Sequence, residues 1–118
     1  MFKITTAKGF HVELPNGYTI SVQFGPSNYC DNKNASDMKE EWYLVQRGRA
    51  KLFDIECPNA EIAVWATNEP DSDYLRLDGS SPDGMMGWQT SQDFVRVLLE
   101  VSLLPRPRPL GEVEQGEK

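Results

Sequence analysis

Alternating apolar and polar positions in the first part of the chain predict three short strands in an antiparallel meander. Residues 2–6 form a first short run, and residues 10–14 alternate with the period of two that a half-buried strand requires. Residues 18–24 repeat that period, with four apolar side chains on one face. Asn16-Gly17, just before the third run, is a strong hairpin signal because both residue types tolerate positive φ. The chain therefore begins as a sheet with one buried face.

Further strands are predicted beyond a long loop. Residues 25–41 contain turn formers throughout and predict that loop. Residues 41–46 and 50–56 flank an Arg-Gly-Arg turn and predict a second hairpin. Residues 60–66 are the most strand-like stretch of the chain and are predicted to pair with residues 74–77 across an acidic turn. These segments together predict a sheet of about five to seven short strands.

One amphipathic helix is predicted near the C-terminus. Thr90, followed three residues later by Asp93, is close to a capping box, and apolar side chains then recur at spacings of three and four. Pro105 ends the helix because proline has no N–H to donate. The apolar stripe is widened by three further side chains, Val95, Leu99 and Leu103. A stripe this wide leaves a strip that could receive a second copy of the chain, so a homodimer is possible.

The whole pattern predicts an α+β fold, in which a mainly antiparallel sheet packs against one C-terminal α-helix. A length of 118 residues suits a single domain, which we assign to residues 1–104. Residues 105–118 are rich in Pro and Arg and then in Gly and Glu, which predicts an extended tail. No apolar run has the length of a signal peptide or a membrane span, so the cytoplasm is the expected compartment.

The net charge of −6 is unevenly distributed. Residues 54–104 carry ten acidic and two basic side chains, whereas residues 1–53 are slightly basic. An acidic balance disfavours direct binding to nucleic acid or anionic membranes, and it favours a protein partner with a basic surface. The candidate partner-binding residues are six acidic and two aromatic side chains, namely Asp54, Glu56, Glu69, Asp71, Asp73, Asp83, Tyr29 and Trp42. Tyr29 is expected to be exposed because it lies in the long loop. Trp42 and Tyr43 point to opposite faces of one strand, so one of them is expected to be exposed.

The remaining aromatic and reactive residues have structural interpretations. Trp65 is expected in the core, and Trp88 is expected to cover a sheet edge. Cys30 and Cys57, with His11 as the single histidine, supply neither a disulfide framework nor a four-ligand zinc site. No phosphate-binding loop or nucleophile motif is present in the sequence. The sequence therefore predicts no catalytic residue, no metal site and no cofactor.

Three segments of the chain form a recognisable set: residues 16–30 (NGYTISVQFGPSNYC), residues 60–65 (AEIAVW) and residues 87–90 (GWQT), which open the helix. In these segments the chain resembles a group of small proteins from bacteriophage and prophage genomes. The resemblance covers most of residues 1–104, whereas residues 37–57 and the tail depart from the shorter pattern. The resemblance implies a phage accessory protein that acts in the cytoplasm of the bacterial host, and it implies no particular activity.

Three functions are compatible with these observations. The first is a binding protein that inhibits a bacterial defence protein, such as a CRISPR component, or a regulatory protein, through its acidic surface. The second is a protein that binds or degrades a nucleotide signal, with Tyr29 or Trp42 stacking on the base. In that case the phosphates would be bound by three basic residues, Arg47, Arg49 and Lys51. The third is a structural component of the phage.

Overall fold

Five strands form one antiparallel sheet whose spatial order follows the chain. The computed structural model describes residues 1–5, 8–34, 56–71, 73–77 and 80–107. Within these ranges the elements are β1 Phe2–Thr5, β2 Gly9–Glu13, β3 Tyr18–Gln23, β4 Ala60–Ala66, β5 Met86–Gln89 and α1 Ser91–Ser102. The sheet order β1-β2-β3-β4-β5 makes it a meander. The predicted α+β fold is confirmed.

The hydrophobic core lies between α1 and one face of the sheet. Ile20, Ile62 and Val64 from the central strands and Val97 and Val101 from the helix are fully buried there. Alternation along each strand supplies these side chains, because every second residue points to the same face. The two helix residues lie four positions apart and so share one side of α1.

The turn between β2 and β3 differs from the predicted Asn-Gly turn. The Leu14 N–H donates to the Tyr18 carbonyl at 2.8 Å, and the Gly17 N–H donates to the Leu14 carbonyl at 3.1 Å. Gly17 has φ +93, whereas Asn16 has no positive φ. The loop therefore has three residues that end in a left-handed glycine, which is the next most common way to close a hairpin after the two-residue turn.

The predicted pairing of β4 with residues 74–77 is wrong in part. That segment forms no strand, although the Leu75 N–H donates to the Val64 carbonyl at 2.7 Å. The regular neighbour of β4 is β5, where Met86 lies opposite Ile62. Met86 is 2% exposed, so burial of its side chain holds β5 in the sheet. The second predicted hairpin, over residues 41–56, lies outside the described residues except for Glu56.

Trp65 lies on the sheet face opposite to α1 and not in the core. It alternates with the core residues of β4, and its ring is only partly buried. The ring packs edge-on against His11 at a centroid distance of 5.0 Å and against Tyr74 at 5.8 Å. This face therefore carries a small aromatic cluster between polar side chains.

The predicted capping box of α1 is confirmed. The Asp93 N–H donates to the Thr90 hydroxyl at 3.2 Å, and the Thr90 N–H donates to the Asp93 carboxylate at 2.9 Å. These bonds satisfy N–H groups that the first turn of a helix leaves without partners. The Thr90 N–H, followed by the Thr90 hydroxyl, donates to the Asp93 carboxylate and lowers the pKa of Asp93. In the described part of the chain no helix has the length and apolar character needed to cross a membrane.

Candidate functional site

The segment that follows β3 is fixed by asparagine side chains. The Asn28 Oδ1 accepts the Gly25 N–H at 3.1 Å, which closes a local turn. The Asn32 Nδ2 donates to the Phe24 carbonyl at 2.8 Å and to the Glu56 carbonyl at 2.9 Å. Asn28 itself is only 7% exposed. The first ten residues of the predicted long loop are thus tied to the sheet by their own polar side chains.

Tyr29 connects this loop to two strands through its backbone. Its N–H donates to the Glu61 carboxylate of β4 at 2.8 Å, and its carbonyl accepts the Trp88 N–H of β5 at 2.8 Å. A further bond joins the Asp31 N–H to the Asn59 Oδ1 at 2.8 Å. Because the tyrosine is held on both sides, its ring has a defined position beside the edge strand.

The rings of Tyr29 and Trp88 stack on the protein surface. Their centroids are 5.9 Å apart with an interplanar angle of 30°. Tyr29 is 44% exposed and Trp88 is 49% exposed, so both rings present much of their area to solvent. The Lys33 Nζ lies 5.0 Å from the centroid of the tyrosine ring. We call these three residues the aromatic platform.

Backbone strain accompanies this platform. Trp88 has φ +51 and Ser27, in the adjacent loop, has φ +72, although neither is a glycine. A side chain in this left-handed region costs about 1–3 kcal/mol, and such residues concentrate at binding and active sites. The hydrogen bonds around Tyr29 over-determine the conformation and offset that cost. The surrounding contacts therefore keep Trp88 in a backbone conformation that is unfavourable for a residue with a side chain.

Tyr29 was predicted to be exposed, and this is confirmed. Neither Trp88 nor Lys33 was predicted to be a site residue. A tryptophan just before a helix is more often a packing residue. The glycine before Trp88 was the one signal in the sequence that could have indicated this site, since glycine permits the close approach of another chain segment. An added Cβ at Gly87 would lie 3.0 Å from the Tyr29 Cβ.

The predicted acidic residues do not form one surface. Glu56 precedes β4, whereas Glu69, Asp71 and Asp73 follow its C-terminal end. A strand of seven residues spans about 20 Å, so these groups lie at opposite ends of the sheet. Asp71 and Asp73 are exposed and available to a partner.

Asp83 has a local structural role. Its carboxylate accepts hydrogen bonds from the Ser81 hydroxyl and from the Met85 N–H, the latter at 3.0 Å. These bonds, led by that of Ser81, lower the pKa of Asp83. It closes the turn that leads into β5. Five other candidate residues lie outside the described residues: Trp42, Arg47, Arg49, Lys51 and Asp54.

A cleft of about 460 Å³ opens beside the N-terminal end of α1. Its floor is apolar and includes Phe10, Phe24 and Phe94. Among the described residues that line it, Glu56 is the only charged one. No group of three or more His, Cys, Asp and Glu side chains among the described residues is placed to hold a metal ion.

The cysteine thiols do not form a nucleophilic centre with His11. Cys30 is 1% exposed, and burial raises its pKa to about 11, so it is protonated at neutral pH. His11 packs on Trp65 instead of on either cysteine.

Comparisons of the chain with protein families, with curated proteins and with solved structures give no match. The aromatic platform is therefore the best candidate site on its own geometry.

The environment of His11 predicts that the stability of the protein depends on pH. Burial, followed by the positive charge of Lys3, lowers the pKa of His11 below 6.5, and Glu13 acts in the opposite direction. The unfolded chain then takes up this proton at a higher pH than the folded chain. We expect the free energy of unfolding to be at its full value above pH 6.5 and to fall as the pH decreases through the window below it.

Chemical denaturation of the wild type and of His11→Gln across this pH range measures the effect. The variant has no group that titrates at this position, so its stability should fall less steeply with decreasing pH. Equal slopes for the two proteins would show that His11 does not contribute.

Proposed function

We propose that this protein acts by binding another protein and that the aromatic platform is the centre of its contact surface. The observation that carries this proposal is the half-exposed Tyr29–Trp88 stack on a strained and hydrogen-bonded backbone. Tyrosine and tryptophan dominate the binding energy of many protein interfaces. A ring that is already fixed loses little conformational entropy on binding, which favours affinity.

We further propose that the partner is a bacterial defence or regulatory protein and that binding inhibits it. The resemblance to phage and prophage proteins supports this biological setting. The net charge of −6 supports a partner with a basic surface, because charge complementarity accelerates and orients association. Asp31 and Lys33 lie in the loop of the platform and supply charges at its rim. Asp71 and Asp73 offer a second, separate acidic surface.

The ring arrangement favours a protein partner over a nucleotide. Tyr29 and Trp88 already stack on one another, so a base could not enter between them without separating the pair. A base could stack only on an outer ring face, where Lys33 is the nearest described cation to Tyr29. A thermal-shift panel of mono-, di- and cyclic nucleotides tests this alternative. Concentration-dependent stabilisation by one of them would favour the nucleotide function.

Capture of partners from a bacterial lysate tests the main proposal. The wild-type protein, Trp88→Ala and Asp71→Lys/Asp73→Lys are immobilised in parallel, and captured proteins are identified by mass spectrometry. We expect at least one protein to be retained by the wild type and lost with Trp88→Ala, and we expect the wild type to inhibit that protein after purification. Retention that is equal on the wild type and Trp88→Ala would refute a contact at the platform. If retention is lost only with the charge-reversal variant, the contact lies at Asp71 and Asp73 and not at the platform.

A further inference from the structure

A second unusual surface lies on the opposite edge of the sheet from the platform. Phe2 and Ile4 of the edge strand β1 are 83% and 81% exposed, although both lie on the sheet face that carries the core. Phe2 lies opposite Val12, and Ile4 lies opposite Phe10, and both of those residues belong to the core layer. The core face of the sheet therefore extends beyond what α1 covers.

One flank of α1 continues this apolar surface. Arg96 bonds Gln89 of β5 at 3.5 Å and pairs with Glu100, so the charged flank of the helix points toward β5. Val95 lies on the other flank, and Leu99, one turn later, lies next to it on the outer side of the helix, since successive helix residues are rotated by about 100°. That flank consequently faces β1, at the other edge of the sheet. Both residues are exposed, at 61% and 60%.

The backbone of β1 is also open along this edge. Met1 and Glu13 exchange two hydrogen bonds, with the Glu13 N–H donating to the Met1 carbonyl at 2.8 Å and the Met1 ammonium donating to the Glu13 carbonyl at 3.2 Å. Bonded and non-bonded pairs alternate in an antiparallel ladder. The backbone of Lys3 therefore hydrogen-bonds to that of His11 in β2, and the backbone N–H and C=O groups of Phe2 and Ile4 point away from β2 into solvent.

We propose that a second copy of this chain docks on this surface and forms a two-fold symmetric dimer. Antiparallel pairing of the two β1 edges joins the outward groups of Phe2 in one copy to those of Ile4 in the other. The result is a continuous ten-stranded sheet, and the uncovered flanks of the two helices face one another above its centre. An isologous contact of this kind closes at two copies.

The size and the charge of the surface suit self-association. Phe2, Ile4, Val95 and Leu99 present roughly 500 Å² per copy, and the paired strand edges add to this toward the ~800 Å² per partner of a standard interface. The helix flank carries no charged side chain, and the acidic residues after β4 lie at the other side of the sheet. Lys3 of each copy meets its equivalent on the solvent-facing side, where salt screens the repulsion.

Sedimentation equilibrium of the full chain over a wide concentration range tests the dimer. We expect the wild type to reach twice the mass of 13.4 kDa. Ile4→Asp places a charge in the apolar contact and should weaken the dimer at least about tenfold. Trp88→Ala removes a large exposed side chain elsewhere and should leave the dimer unchanged. A wild type that stays monomeric, or an equally strong effect of Trp88→Ala, would overturn the proposal.

Amide hydrogen exchange separates edge pairing from other contacts. In the dimer the N–H groups of Phe2 and Ile4 should exchange slowly at high protein concentration and rapidly after dilution. Ile4→Asp should keep the melting temperature of the monomer, because the side chain is exposed in the single copy. Assemblies larger than two copies, or unprotected N–H groups at both positions in a dimer, would contradict the proposed pairing. This inference does not depend on the proposed function of the platform.

Discussion

Trp88→Ala should weaken binding of the captured partner by about 30-fold or more. A central aromatic residue of an interface contributes at least about 2 kcal/mol, and this energy corresponds to that factor. The ring is 49% exposed and stacks on Tyr29, so its removal also leaves the tyrosine ring unsupported. Titration calorimetry with the purified partner measures the change in dissociation constant.

Two control variants show whether the loss arises at the surface or through unfolding. Trp88→Gly removes the same ring but relieves the strain of φ +51, so it should bind as weakly as Trp88→Ala while being more stable by up to ~1 kcal/mol. Phe2→Ala removes an exposed aromatic ring on the other edge of the sheet and should bind normally. Weak binding by Phe2→Ala, or near-normal binding by Trp88→Gly, would argue against the platform.

Asn16→Asp should lower the free energy of unfolding by about 3 kcal/mol at neutral pH. The Asn16 Nδ2 donates to the carbonyl of Val101 at 2.8 Å and to that of Leu104 at 3.1 Å, at the C-terminal end of α1. Each lost bond costs about 1 kcal/mol. The new carboxylate adds repulsion at the negative end of the helix dipole, where the last turn has no basic residue.

Thermal and chemical denaturation measure this loss, and we expect a decrease in melting temperature of about 10–20 °C. The introduced carboxyl group, once protonated, could donate one hydrogen bond again, so the deficit should shrink as the pH falls below about 4. Asn68→Asp makes the same chemical change in an exposed turn and should have little effect. A deficit equal to that of Asn68→Asp would show that Asn16 does not hold the helix.

The acidic residues show why charge along a sequence does not define a surface. The carboxylates of residues 54–104 were expected to act together. In the structure Glu61 anchors Tyr29, Asp93 caps α1 and Asp83 closes a turn, whereas Asp71 and Asp73 remain exposed. Many carboxylates accept hydrogen bonds from nearby backbone groups, and the sequence does not distinguish these from the carboxylates that are exposed to solvent.

The sequence by itself determined the elements whose signals are local. Alternation predicted β2 and β3 because the side-chain period of a strand is present in a few consecutive residues. Short runs of strand-forming residue types predicted β1 and β4, and the Thr90–Asp93 box predicted the start of α1. Only the tertiary structure decided features that join distant positions. The four residues of β5 have no alternation of their own and are a strand because Met86 is buried beside Ile62. In the same way Asn16 reaches the helix end 85 residues later, and Trp88 meets Tyr29 across the edge of the sheet. Such contacts depend on how the chain packs, because the groups they join are far apart in sequence and no local pattern specifies them.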